Sequence, residues 1–259
     1  MRITTWMLMA AMTMTGCATD AMDDDATGGG GGGGKADDTT AAQLAPTYAL
    51  ELTSSMRTED RRESDPAKRF TNLTMRARAQ VKVTQTGSEV KLAVKLCDVR
   101  LPVVGGYQPE LDAAFVATVP AFNITAAIDG DELVAQPAAL VLGAALPHPL
   151  TDALPSATSA RLRDQDSDGN PGVSIQIPGY GSIFASLRVK LEFSAPLATM
   201  KGAADVTLDQ KIYGDNIWFY DAATSAAEAE GNVSVVSSSN RVTMKRDAAN
   251  CAKVRTLLP

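Results

Sequence analysis

Apolar and polar residues alternate along residues 74–101, and this two-residue period constrains the fold more than any other feature of the chain. Successive side chains of a β-strand point to opposite faces, so each segment has one apolar face and one polar face. The apolar positions are Met75, Ala77, Ala79, Val81, Val83, Val90, Leu92, Val94 and Leu96. Thr86, Gly87 and Ser88 separate the two segments and predict a turn. The pattern therefore predicts a long antiparallel hairpin with one solvated face.

The same period returns over residues 183–193, where apolar side chains alternate with Arg188, Lys190 and Glu192. The sequence Asp-Gly-Asp at residues 129–131 predicts the turn of a second hairpin. Further strands are predicted at residues 48–53, 113–119, 139–144, 173–177, 206–212, 217–220 and 233–244, and one short helix at residues 222–230.

This many one-sided strands predict an all-β domain. The favoured architecture is an antiparallel β-barrel, because closure removes exposed sheet edges, and the alternative is a barrel-like two-sheet sandwich. Outer-membrane barrels also alternate, but their outward face is apolar, whereas charged residues occupy the second face here. Residues 46–259 contain no internal repeat and no second linker, so we expect a single domain.

The first seventeen residues have the pattern of a signal peptide. Arg2 precedes an uncharged run over residues 3–15, which is too short to span a bilayer as a stable helix. Gly16 and Cys17 follow, and this ending resembles the bacterial lipoprotein signal. The resemblance implies cleavage before Cys17, lipidation of its thiol and, with Ala18 next in the chain, anchoring to the outer membrane of a bacterial cell envelope. The alternative is an ordinary secretory signal that is cut near Ala18.

Residues 17–45 are predicted to form a disordered tether between the lipidated cysteine and the domain. They contain seven consecutive glycines at positions 28–34 and six aspartates, so they have little to bury and much backbone entropy to lose. The chain therefore divides into a signal peptide (1–16), a tether (17–45) and a domain (46–259). The net charge of the whole chain is −6, and most of it lies in the tether. A nearly neutral domain without a basic surface argues against nucleic acid as a partner.

Cys97 and Cys251 are the two cysteines that remain once Cys17 is lipidated. An even number of cysteines in an oxidising compartment predicts a disulfide, which would hold a C-terminal strand beside the first hairpin. Two buried free thiols are the alternative. Strict alternation places Cys97 on the solvated face with Lys91 and Lys95, unless a β-bulge intervenes.

Asp164, Asp166 and Asp168 alternate in a short polar segment and are followed by Gly169. Three carboxylates at this spacing can converge on one hard cation, and the carbonyl of Asn170 can add another oxygen. The segment resembles the first half of an EF-hand loop and the DxDxDG loops of the thrombospondin and dockerin classes. The resemblance implies a Ca²⁺ site.

The resemblance ends at the twelfth position of the loop, where Ile175 replaces the bidentate glutamate of an EF-hand. A complete site would therefore need a further carboxylate, for which Asp152 is the candidate, or water molecules. The alternative is a turn whose Asp and Asn side chains hydrogen-bond their own backbone.

Catalytic signals are incomplete. His148 is the only histidine, and its flanking prolines predict an exposed loop. The chain lacks a nucleophile elbow of the GxSxG type, and it has too few His and Cys residues for a zinc centre. We therefore expect a non-enzymatic protein, with a carboxylate-based hydrolase as a minor alternative.

Two non-enzymatic functions fit the predicted barrel. It can bind a small apolar ligand in its interior, or it can serve as a structural or adhesive surface domain that Ca²⁺ stiffens. The segment Trp218–Tyr220 is expected to line the mouth of a cavity or to belong to the core. A ligand-binding barrel requires an interior cavity, whereas a structural domain has a filled interior.

Overall fold

The computed structural model describes residues 42–59, 70–103, 107–217, 233–235 and 239–259. These residues are mostly β, as predicted. The strands are β1 (Thr47–Glu59), β2 (Phe70–Thr86), β3 (Glu89–Arg100), β4 (Glu110–Leu111), β5 (Phe122–Asp129), β6 (Glu132–Leu142), β7 (Val173–Ile177), β8 (Gly181–Pro196), β9 (Lys201–Asp215), β10 (Val233–Val235) and β11 (Arg241–Arg246). The helices are α1 (Ala113–Thr118) and α2 (Cys251–Leu257).

The strands form one antiparallel sheet that nearly closes into a ring. The order is β4-β7-β8-β6-β5-β3-β2-β1-β11-β9, and β8 also pairs with β9. Strands β4 and β7 extend the sheet beyond the ring, and β10 pairs with β1 off this path. The architecture is therefore barrel-like without being a regular barrel, which confirms the predicted fold class.

Both predicted hairpins are present. Strands β2 and β3 pair from Arg76 with Arg100 to Thr86 with Glu89, and Gly87 takes a positive φ of 60° in the turn between them. Strands β5 and β6 form the second hairpin around residues 130 and 131. Along β2 and β3 the apolar set faces the barrel interior, whereas Lys82 and Lys91 are exposed on the outer face.

The predicted strand at residues 113–119 is wrong, since the segment forms helix α1. The carboxylate of Asp112 accepts a hydrogen bond from the Ala114 N–H at 2.6 Å, which caps the helix N-terminus. Phe115 and Val116 are buried in the barrel core. At the other end, the Lys95 ammonium donates to the Ala117 carbonyl at 2.7 Å. The capping aspartate is a helix-start signal, but the β-rich run after it favoured a strand.

Other predicted elements differ in extent. The strand predicted at 233–244 is divided into β10 and β11, and residues 236–238 between them lie outside the described residues. Ile217 is buried outside any strand. Residues 218–220 and the helix predicted at 222–230 also lie outside the described residues. No element was predicted over the residues that form helix α2. The Asn250 side chain caps this helix by accepting from the Lys253 N–H at 2.9 Å.

A β-bulge in β3 lies at Cys97. Ala79 pairs with Leu96 and Arg78 pairs with Asp98, so Cys97 is the extra residue of the bulge. Leu96 and Cys97 are both buried, Leu96 inside the barrel and Cys97 under helix α2 with Ala49 and Val254. Cys97 therefore stays on the outer face, as strict alternation predicts, and it is buried there because α2 covers it.

Candidate functional site

The barrel interior contains a partly open cavity of about 130 Å³. Among the described residues, its lining is apolar apart from the side chain of Gln210. The apolar lining comes from strands around the ring and includes Leu52, Ala77, Val94, Leu96, Leu142, Ile175, Leu187 and Leu191. An interior of this kind is what the ligand-binding interpretation of the sequence requires.

The cavity lies where the core is divided. A larger core cluster is built around Tyr48, Val81, Leu92, Ile124, Leu133 and Val206. A smaller core cluster is built around Leu96, Phe115, Leu142, Val173, Ile175 and Ile183. Both contribute side chains to the cavity wall, and so do Met56 and Met75 of a separate small cluster. Domains usually have one contiguous core, and the cavity lies where the core of this domain is interrupted.

Small side chains on β2 help to leave the cavity open. Ala77 packs against both the larger and the smaller core cluster, and Ala79 lies two residues further along the same face. Both line the cavity. Because alanine ends at its β-carbon, the space that a longer side chain would occupy stays open.

Gln210 lies on β9 between Leu208 and Ile212, which share its face of the strand. Leu208 and Ile212 pack against apolar clusters inside the barrel, and Gln210 pairs across the sheet with Leu187. No hydrogen bond joins the Gln210 side chain to any other described residue. Sequence reasoning missed Gln210, although a polar residue on the apolar face of the predicted strand 206–212 was a visible signal.

The three predicted metal ligands come together in the connection between β6 and β7. Carboxylate oxygens of Asp164, Asp166 and Asp168 all lie within 4.8 Å of one another. Gly172 holds this loop against the barrel, since a β-carbon there would lie 2.4 Å from the Ala185 carbonyl oxygen. The structure thus forms a carboxylate cluster that can hold a metal ion.

The loop backbone and Ser174 position the carboxylates. Asp164 accepts from the N–H groups of Asp168 at 3.1 Å and Gly169 at 2.9 Å. Asp166 accepts from the Ser174 N–H at 2.7 Å, and the Ser174 hydroxyl donates to Asp168. These contacts are also those of an Asp-rich turn. Within the described residues, however, the second oxygen of Asp166, Oδ1, is buried without a hydrogen-bond partner.

The carboxylates differ in pKa. Burial raises the pKa of Asp166, the Ser174 N–H opposes the rise, and the nearby Asp168 and Asp164 charges add to it. Burial also acts to raise the pKa of Asp168, but hydrogen bonds from Ser174 and Asn170 outweigh it and leave that pKa lowered. A cation between the carboxylates would relieve the repulsion that raises the Asp166 pKa.

The sequence also predicts Asn170 and Asp152 as ligands. Asn170 contacts the cluster through its N–H, which donates to Asp168 Oδ1 at 2.8 Å, and its carbonyl as a ligand stays a prediction. Asp152 does not join the cluster, so its proposed role as the extra ligand is wrong. Its carboxylate instead accepts from Arg161 at 3.4 Å and from the His148 N–H at 3.3 Å. His148 itself lies in an exposed loop, as predicted.

The Cys97–Cys251 disulfide is present, with a Cα–Cα distance of 5.2 Å. It joins the bulge of β3 to the first residue of α2, so the predicted pair is correct and the partner element is a helix instead of a strand. The guanidinium of Arg255 also donates to the Cys97 carbonyl at 2.8 Å. The bridge therefore fixes α2 against the outer wall of the barrel.

Comparison with models of known protein families, with curated proteins and with solved structures gives no match. Cys17 and Trp218–Tyr220 lie outside the described residues. Within the part of the chain that is described, neither helix has the length and apolar content needed to cross a membrane.

Proposed function

We propose that this chain is a lipid-anchored envelope protein whose barrel-like domain binds a small apolar molecule in its interior. The observation that carries the proposal is the apolar cavity of about 130 Å³ between the core clusters. In another protein, an engineered apolar cavity of about 150 Å³ stays dry and binds benzene or xenon. A cavity of similar size and lining is expected to bind ligands of similar size.

The cavity volume limits the class of ligand. Sites for drug-sized molecules measure roughly 300–1,000 Å³, which is well above the volume found here. The occupant is therefore about the size of a single ring or a short alkyl chain. Its binding free energy comes mainly from removing its apolar surface from water.

The proposed anchor is the lipidated Cys17, followed by the tether. The last residues of the tether lie against the barrel: the Leu44 N–H donates to the Gln85 side chain at 2.9 Å, and Leu44 and Ala45 pack on the larger core cluster. Gln85 belongs to the turn end of the first hairpin, so the tether joins the domain there. Incorporation of labelled palmitate by the wild-type chain but not by Cys17→Ala supports the anchor, and an unlabelled wild-type chain contradicts it.

Titration calorimetry with benzene tests the binding function. The purified full-length protein is titrated in detergent, with detergent alone as the blank. Saturable heat with one site per chain supports the proposal. Heat equal to the blank contradicts it, because a cavity of this kind that is open to ligand should take up benzene.

A second function is favoured by the carboxylate cluster. Asp164, Asp166 and Asp168 are proposed to bind Ca²⁺, which would stiffen the connection between β6 and β7. The buried, unpartnered Oδ1 of Asp166 supports a cation rather than a turn alone. With no glutamate at the twelfth position, we expect a dissociation constant of the extracellular kind, roughly 0.1–1 mM. The test is calcium-dependent thermal stabilisation, for which the variants are given in the Discussion.

A further inference from the structure

We infer that the molecule in the cavity carries one uncharged polar group that hydrogen-bonds the side chain of Gln210. This inference rests on the proposed binding function and names the chemical class of the ligand: a small amphiphile with a ring-sized or short-chain apolar body. A hydroxyl, carbonyl or amide group meets the requirement.

The position of Gln210 carries the inference. Its side chain lines the cavity on a strand face that is otherwise apolar, between Leu208 and Ile212. Gln210 is half-buried, and no hydrogen bond joins its amide to another described residue. A ligand that fills the cavity removes water from this amide, and the lost hydrogen bonds cost free energy unless a polar group of the ligand replaces them.

The chemistry of the lining determines the kind of polar group. A glutamine amide has both donors and an acceptor, so it can bind a hydroxyl or a carbonyl oxygen with equal ease. No described residue that lines the cavity carries a charged side chain. An ionised ligand would lose its hydration there without gaining a counter-ion, so a carboxylate or an ammonium group is disfavoured.

Phenol and benzene form a suitable probe pair, because they share one ring and differ in a single hydroxyl. Their dissociation constants are measured by calorimetry on the full-length protein and on Gln210→Met, in which an apolar side chain of similar length replaces the amide. We expect Gln210→Met to weaken phenol binding about fivefold and to leave benzene binding unchanged or tighter, since one neutral hydrogen bond is lost.

A matched control is Leu208→Met, two residues away on the same face. It alters the shape of the lining without removing a polar group, so both ligands should change by the same factor. A second variant, Gln210→Asn, keeps the amide but withdraws it from the cavity. It should also weaken phenol selectively, which provides a test if Gln210→Met does not fold.

The outcomes separate the inference from the proposed function. Equal effects of Gln210→Met on phenol and benzene, or an unchanged phenol preference in Gln210→Asn, overturn the inference while benzene binding by the wild type stands. Benzoate that binds as tightly as phenol overturns the restriction to uncharged ligands. A wild-type protein that binds neither phenol nor benzene overturns the proposed function and the inference together.

Discussion

The guanidinium of Arg188 and the carboxylate of Asp209 form an ion pair across β8 and β9, with an Nη2–Oδ2 distance of 2.5 Å. The Nε atom of Arg188 donates to the same oxygen at 2.7 Å. Its Nη1 atom donates to the carbonyls of Pro149, at 3.2 Å, and Asp152. Arg188 is only 7% exposed. One buried cation thus holds the long connection that carries the carboxylate cluster against the barrel wall.

Replacement of Arg188 by methionine should lower the free energy of unfolding by about 3 kcal/mol, because it leaves the Asp209 carboxylate without its partner and two carbonyls without a donor. Urea denaturation measures the loss. The matched control is Arg161→Met: Arg161 pairs with Asp152 at 3.4 Å, but its side chain is 55% exposed, so the expected loss is below about 1 kcal/mol. Similar losses in the two variants would contradict the structural role given to Arg188.

Loss of the disulfide should destabilise the domain. Cys97 and Cys251 are 154 residues apart, and the chain-entropy model gives about 4–5 kcal/mol for a loop of this order. The double variant Cys97→Ala/Cys251→Ala should therefore unfold at a lower urea concentration than the wild type. Reductant should lower the wild-type midpoint and leave the double variant unchanged. A wild-type midpoint that is insensitive to reductant, with two titratable thiols, would show that the bridge does not form.

Calcium at about 10 mM should raise the melting temperature of the wild type by about 5 °C, if the dissociation constant lies in the range proposed above. Asp168→Asn should abolish the shift, because it removes a charged ligand from the cluster. Asp152→Asn is the matched control, since Asp152 lies in the same connection but pairs with Arg161. A shift that survives Asp168→Asn, or is missing from the wild type, would favour an Asp-rich turn without metal.

Filling the cavity should be tolerated where filling a packed region is not. Ala77 lines the cavity, whereas Ala126 lies in the larger core cluster away from the lining. Ala77→Leu should therefore change stability little while weakening benzene binding. Ala126→Leu should cost about 1–3 kcal/mol through overpacking and leave benzene binding in place. Comparable destabilisation by both leucines would indicate that the space beside Ala77 is not open.

Ionisation of Tyr213 should destabilise the protein at alkaline pH. Burial raises the pKa of Tyr213 above its ordinary value of 10.0, although the Ser186 hydroxyl opposes the rise. The stability that accompanies a raised pKa is fully present below about pH 10 and is lost as the pH rises through the folded-state pKa. The wild type should therefore lose more stability between about pH 8 and pH 11 than Tyr213→Phe, in urea denaturation at each pH. Equal losses would show that another group governs the alkaline transition.

Local pattern was sufficient for much of the sheet. The alternation of Val81, Val90 and Leu92 with exposed lysines predicted the first hairpin, because strand geometry assigns side chains to faces residue by residue. Cysteine parity predicted the Cys97–Cys251 pair, and the spacing of the three aspartates predicted their convergence. Each of these features depends on short-range geometry or on a count.

Other features depend on which residues meet across the barrel. The bulge at Cys97 and the position of α2 follow from packing on the outer wall. The cavity forms because Ala77 faces apolar clusters that do not contact each other. Gln210 becomes a candidate ligand contact only because its side chain lines this cavity. The sequence by itself determined the strands, the cysteine pair and the acidic loop, since these are local patterns or a count. Tertiary structure alone decided the interior volume and the position of Gln210 in its wall, because both depend on contacts between residues that are far apart in the chain.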